Sequence, residues 1–159
     1  MEPRITIRRP TIEDAERISA LLSALAEEFI VGDFSDEGRE HLLAHLAQGE
    51  MEKRLASDEY QFHVAEDGSM LAGVVAMSGK GHLYYLFVAS AYHRMGVGRR
   101  LWDLARNEAV RAGNATGRFT VKASAFAVHS YERLGFRCSG PATDVNGVRS
   151  QPMVWTGTT

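Results

Sequence analysis

An unbroken apolar run, Leu83-Tyr84-Tyr85-Leu86-Phe87-Val88, is followed closely by His93-Arg94-Met95-Gly96-Val97-Gly98-Arg99-Arg100-Leu101-Trp102, and no other feature constrains the chain as much. The first segment reads as a strand and the second as a tight turn that opens a helix. Two glycines separated by one residue let the backbone bend so that several N–H groups stay unpaired and point one way. Those amides lie at the positive end of the helix dipole, with Arg94, Arg99, Arg100 and Arg106 gathered around them, which suits a phosphate-bearing ligand. A dinucleotide fingerprint needs its glycines directly after the strand and an acidic residue closing the next one. Here the next strand, Arg118-Phe119-Thr120-Val121-Lys122, ends in lysine. No Gly-Lys-Ser/Thr follows the glycines, which excludes a Walker loop. The ligand therefore carries phosphates but is not held in the manner of NAD or ATP.

A chain of 159 residues, 45% hydrophobic, is long enough for one domain with a full core, and the reading is a single domain over 1–159. A net charge of −2 gives no reason to expect nucleic acid as a partner. The first residues lack the apolar core of a signal peptide, and no run approaches the roughly 18 apolar residues that span a membrane. The expectation is a cytoplasmic protein without a membrane partner. The lone Cys138 excludes an internal disulfide, and no Cys/His cluster has metal-site spacing, so no metal is expected.

Periodicity orders the rest. Ile5–Arg8 alternates as a strand. Thr11 and Asp14 form a capping-box pattern ahead of Ile12, Ala15, Ile18, Leu22, Leu25 and Phe29 at helical spacing. Gly32-Asp33 interrupts that helix, and Ser35 caps a second that runs through Leu42, Leu43 and Leu46 toward Leu55. Asp67-Gly68 joins a hairpin of Tyr60–Ala65 and Met70–Met77. The glycine-loop helix stops at Gly113, and a short helix, Ala127–Leu134, ends at Gly135. Two last strands, Phe136–Ala142 and Val148–Trp155, flank Asn146-Gly147. The order is β-α-α-β-β-β-α-β-α-β-β. It predicts an α/β (α+β) fold, a mixed and mostly antiparallel sheet of about seven strands with helices on both faces.

This order, with its residues, resembles the GNAT superfamily of acyl-CoA-dependent N-acyltransferases over nearly the whole chain. Leu86-Phe87-Val88 and the loop from Tyr92 to Leu101 are similar to the family's fourth strand and pyrophosphate loop. Val128 through Tyr131-Glu132-Arg133-Leu134-Gly135-Phe136 is similar to its "YExLGF" helix end. The resemblance implies acetyl-CoA as cosubstrate and an amine as acceptor, and it is compatible with a homodimer. It implies that main-chain groups at Phe87 and Val88 pair with the pantetheine arm. It assigns the pyrophosphate to His93, Arg94, Met95, Gly96, Val97, Gly98 and Arg99, and makes Tyr131 both a cofactor contact and the acid that protonates the departing thiolate. A phenol with pKa near 10 can donate to a thiolate whose thiol has pKa about 8.5. Two departures from the family stand out. His93 replaces the usual glutamine or arginine, and Lys122 and Phe126 stand where many members carry asparagines, leaving Ser124 as the candidate contact there.

The acceptor amine attacks only when neutral. His82 falls where the histone-acetylating branch of the family carries its glutamate base. An unperturbed imidazole titrates near pH 6.5, which suits a proton relay expected to show between about pH 6 and 8. His63 and His129 are weaker candidates for the same role. Glu27, Glu28, Asp33, Asp36 and Glu37 cluster between the first two helices, either to attract a cationic amine or as a solvated helix face. Glu28 and Tyr84 are the acceptor-contact candidates. Cys138 reads as a core residue, which argues against a covalent intermediate. The leading reading is an N-acetyltransferase acting by direct transfer to a primary amine of a small molecule or peptide. The alternative from another class is a non-catalytic acyl-CoA-binding sensor or regulatory module.

Overall fold

A computed structural model describes residues 4–156, apart from the Asp33 side chain. Strand β1 (Ile5–Arg8) leads into the capped turn at Thr11, whose N–H donates to Asp14 Oδ2 at 2.8 Å. Arg8 grips the same carboxylate from the strand with two bonds of 2.8 and 3.0 Å, holding its pKa down at about 2. Helix α1 (Ala15–Leu25) buries Ile18, Leu22 and Leu25, and it runs on through Ala26–Ile30 as a wider π turn.

Two helices follow, α2 (Asp36–His45) and α3 (Gln48–Leu55), where the sequence predicts one. The break has a visible cause. Ser19 Oγ donates to the Leu46 carbonyl at 2.6 Å and Arg54 Nη1 donates to the His45 carbonyl at 2.7 Å. Side chains thus take carbonyls that a continuing helix would use itself.

Strands β2 (Tyr60–Asp67), β3 (Met70–Ser78) and β4 (His82–Val88) form an antiparallel meander beside β1. Helix α4 (Val97–Arg111), strand β5 (Phe119–Ala123) and helix α5 (Val128–Leu134) come next. The predicted strand over Phe136–Ala142 is instead two short ones, β6 (Arg137–Cys138) and β7 (Thr143–Val145), both paired with β8 (Val148–Trp155). Gly140-Pro141 lies at the break, and Pro141 has no N–H to give a ladder. The sheet therefore has eight strands rather than seven, ordered β1-β2-β3-β4-β5-β8-β6 with β7 on β8.

Each face of the sheet buries its own core. Trp102 and Leu101 of α4 meet Phe119, Phe136 and Trp155 on one face. Ile18 and Leu22 of α1 and Met51 of α3 meet Phe62, Val64 and Val74 on the other. Cys138 is exposed, against the expectation of a core residue, because β6 covers only two residues at the sheet margin.

Two features shape the opening in this frame. β4 and β5 pair in parallel only through His82↔Thr120 and Leu83↔Val121, and Tyr84 is an unpaired bulge between Leu83 and Tyr85. Beyond that point the strands part. At the far wall, the first turn of α2 lies on the β7–β8 turn so tightly that a Cβ on Gly38 would overlap the Gly147 carbonyl.

Candidate active site

A cleft of about 1000 Å³ opens where β4 and β5 separate. Its walls come from the end of α1, from α2, the glycine loop, α5 and the β7–β8 hairpin. Ala89 N–H donates to the Ala72 carbonyl at 2.8 Å, so by alternation the main-chain groups of Phe87 face β3 while those of Leu86 and Val88 face the opening. The free edge suited to an extended amide ligand thus belongs to Leu86 and Val88, and Phe87 contributes its side chain to the wall.

The loop after β4 is bent by positive φ at Arg94 (66°) and Gly96 (76°), and α4 starts at Val97. Arg94, Gly96, Val97, Gly98 and Arg99 all line the cleft, whereas Met95 points outward and is exposed. Arg99 Nη2 donates to the Arg133 carbonyl at 2.6 Å, tying α4 to the end of α5. Arg100 turns to the Ile5 carbonyl, and Arg106 packs over Trp155 and pairs with Asp103. Neither therefore joins the anion site expected from the clustering. His93 Nε2–H donates to the Val88 carbonyl at 2.7 Å, folding back on the strand end and leaving the Val88 N–H as the open group.

Tyr131 lines the cleft from α5, packed edge-on against Phe136 at 5.5 Å. Burial raises its phenol pKa well above the usual value, with no hydrogen-bond partner contributing. It stays protonated at any working pH. Ser124 lies on the same wall, just before the turn into α5. His82 stands at the start of β4 with Nδ1 and Thr120 Oγ1 2.8 Å apart. Burial first, then the Lys122 ammonium, holds its pKa below the ordinary 6.5, so the ring is neutral at pH 7.

Tyr84 belongs to a relay that sequence reasoning missed. Arg54 Nη2 donates to His45 Nδ1 at 2.7 Å, and a guanidinium only donates. His45 Nε2 therefore carries the proton and donates to Tyr84 Oη at 2.7 Å. Burial and Arg54 push the His45 pKa down to about 4, consistent with that neutral tautomer. Only the apolar spacing of α2 is legible in sequence, and there His45 reads as one more helix residue. Phe29 and Phe126 form a second unforeseen element, stacked at 4.7 Å across the cleft from opposite walls.

Other candidates lie elsewhere. His63 faces α4, with Nε2 3.4 Å from Glu108, and lines a separate cavity of about 250 Å³. His129 is on the cleft rim, largely exposed. No Asp or Glu is among the described residues that line the cleft. Glu28 is exposed and outside it, and Glu27 is paired with Arg39 at 2.6 Å. Asp36 and Glu37 sit in the first turn of α2, where they complement its dipole, and the Asp33 side chain lies outside the described residues. Glu27, Glu28, Asp36 and Glu37 thus lie outside the cleft wall. Cys138 is also absent from the cleft. Among the described residues no group of His, Cys, Asp and Glu is placed to hold a metal, and no helix is long and apolar enough to cross a membrane.

Solved structures share this architecture. A GCN5-related N-acetyltransferase from Rhodopseudomonas palustris is 24% identical over 98% of this chain and 96% of its own, with a TM-score of 0.79. The PaiA N-acetyltransferase of Thermoplasma acidophilum, solved with coenzyme A, is 18% identical over 96% and 99%, also at 0.79. A spermidine N-acetyltransferase SpeG chimera of Vibrio cholerae and human sequence is 19% identical over 96% and 95%, at 0.66. At these identities the likeness is one of fold. No curated protein sequence matches the chain significantly. The family profile described as acetyltransferase (GNAT) domain matches residues 30–157, which takes in the glycine loop, Tyr131 and most of the cleft wall. With that match, the chain belongs to the GNAT acetyltransferase family.

Proposed function

We propose that the protein is an acetyl-CoA-dependent N-acetyltransferase that passes the acetyl group directly to a primary amine of a small molecule or peptide. One observation carries this reading: the buried Tyr131 and the half-buried His82 line one cleft beside the free edge of β4, and burial favours the protonated phenol and the neutral imidazole. Leu86 and Val88 align the pantetheine arm by β-type hydrogen bonds, and the amides from Arg94 to Arg99 take the pyrophosphate. His82 accepts the proton of the acceptor ammonium, directly or through a water held between it and Tyr84. The amine nitrogen bonds to the acetyl carbon, the carbon–sulfur bond breaks, and Tyr131 supplies the proton to sulfur, while the second proton lost by the attacking nitrogen passes to the tyrosinate and restores the phenol. Burial penalises the tyrosinate and the thiolate alike, so proton transfer between them is not opposed by the site. Cys138, outside the cleft, has no part in it.

A thiol-release assay over a panel of amines, run beside calorimetry with CoA, tests the reading. Thiol release with at least one amine supports transfer. Tight CoA binding with no release over the whole panel favours the sensor or regulatory module.

Two expected results belong here. Burial and the Lys122 ammonium move the titration of His82 to the acid side of an unperturbed ring. Activity is held above that pKa and lost as pH falls through it, so the acidic limb of kcat/KM lies below about 6.5. With one acceptor throughout, His82→Ala removes that limb and lowers the rate about 100-fold or more. An identical limb and rate in the variant assigns the proton to another route. Gly38→Ala, which drives α2 off the β7–β8 turn, is expected to cost about 1–3 kcal/mol of stability. It should raise the acceptor KM while CoA affinity holds, because the contact joins α2 to the β7–β8 turn and does not involve the glycine loop. Thermal unfolding and CoA titration read the two effects separately.

A further inference from the structure

The cleft carries a charge pattern that the transfer chemistry does not require. Five cationic side chains (Arg94, Arg99, Lys122, Arg133 and Arg149) line it, and no carboxylate among the described residues does. Arg94 and Arg99 belong to the glycine loop, beyond the end of β4. Lys122 lies elsewhere. It follows Thr120 by two residues on β5, on the sheet face where Thr120 reaches His82, at the start of β4. The proximity is also felt electrostatically, since the Lys122 ammonium helps depress the His82 pKa. Arg149 lines the wall formed by the β7–β8 hairpin. Neither Lys122 nor Arg149 is in an ion pair among the described residues. The nearby wall is apolar, with Ile30, Phe34 and Leu42 on the helical side.

We propose that the acceptor is an amine that also bears a carboxylate, and that Lys122 is the residue that reads that carboxylate, with Arg149 as a second cation. This rests on the N-acetyl-transfer reading and narrows its acceptor. Both side chains are solvent-exposed, so water satisfies them until an acceptor enters, and a ligand that displaces that water replaces it best with an anion, through a charge-assisted hydrogen bond. A polyamine finds the opposite conditions, because its second ammonium meets cations and no carboxylate. The Lys122 charge thus serves the acceptor and not the cofactor.

The test is a matched series: one amino acid as free acid, as its primary amide, and as the diamine in which an ammonium replaces the carboxylate. Each is assayed for thiol release and titrated into the CoA-loaded protein. The wild type should prefer the acid over the amide by about 10- to 100-fold in kcat/KM, mostly through KM, with the diamine poorest. Lys122→Ala should bring the acid-to-amide ratio of kcat/KM, read within the same variant, to within a few-fold of one, with CoA affinity unchanged. Lys122→Glu should favour the diamine. Equal or better use of the amide or diamine by the wild type overturns the proposal. So does a Lys122→Ala variant that loses CoA affinity while keeping its preference for the acid, which makes Lys122 a cofactor contact. A phosphorylated amine preferred over the acid overturns the choice of carboxylate. If no amine releases thiol, the titrations still decide. Lys122-dependent binding of the acid keeps the anion site and sinks the transfer reading, and no such dependence sinks both.

Discussion

Gly98→Val is expected to abolish acetyl-CoA binding, by at least about 100-fold, in a protein that remains folded. The two loop glycines differ in what a side chain would do to them. Gly96 has φ of 76°, a left-handed conformation that costs an L-residue about 1–2 kcal/mol, so substitution there disturbs the loop itself. Gly98 lies inside the first turn of α4, and a Cβ there meets only Val88 Cγ2, at an ordinary 3.5 Å. Valine is also a better helix former than glycine, by about 0.5 kcal/mol. The fold has no reason to object. The ligand does, because a branched side chain on the cleft side of the turn keeps a pyrophosphate from closing on the amides of Val97 to Arg99. Calorimetry with CoA and a thermal melt on the same variant separate the effects. Unchanged affinity in folded Gly98→Val takes the pyrophosphate away from this loop.

Tyr131→Phe should lower turnover about 10- to 1,000-fold while CoA affinity stays within a few-fold, because general acid help is large but water replaces part of it. The substitution is unusually clean. The hydroxyl contributes no hydrogen bond to the protein, so its loss strands no buried partner, and the phenyl ring keeps its edge contact with Phe136. Stability should be unchanged. Single-turnover rates on the preloaded complex, beside a CoA titration, give the result. A variant that loses binding but turns over normally once loaded makes Tyr131 a packing residue.

Local patterns carried much of this protein. The strand ending at Val88, the glycine pair and the α4 stripe of Leu101, Trp102 and Ala105 are short-range facts of periodicity and backbone freedom, and each lies where the pattern puts it. The turns at Asp67-Gly68 and Asn146-Gly147 follow for the same reason. The misplacements share a different origin. Leu46 carries the helical spacing onward, yet the helix breaks because Ser19 and Arg54 bind the carbonyls of Leu46 and His45. Cys138 looks apolar in sequence but sits on a strand too short to be covered.

The candidate site divides along the same line. Tyr131 and the glycine loop could be singled out because a helix end and a helix start have local signatures, and His82 was singled out by resemblance, through its count from His93; all of them line the cleft. The relay of Arg54, His45 and Tyr84 was not, since it joins α3, α2 and β4 through bonds between residues far apart in sequence. Nor was the sign of the cleft. The run from Glu27 to Glu37 suggests an acidic mouth, but the turn of the chain after α1 presents Phe29, Ile30 and Phe34 inward and leaves Glu28 outside. By itself the sequence determined most of the order of elements, short of the α2–α3 and β6–β7 breaks, and pointed to the family, because helical and strand periodicity, glycine freedom and motif spacing act over a few neighbouring residues. Only the tertiary structure decided which charges line the cleft and which ring nitrogen of His45 holds a proton, because both depend on groups brought together across the sheet.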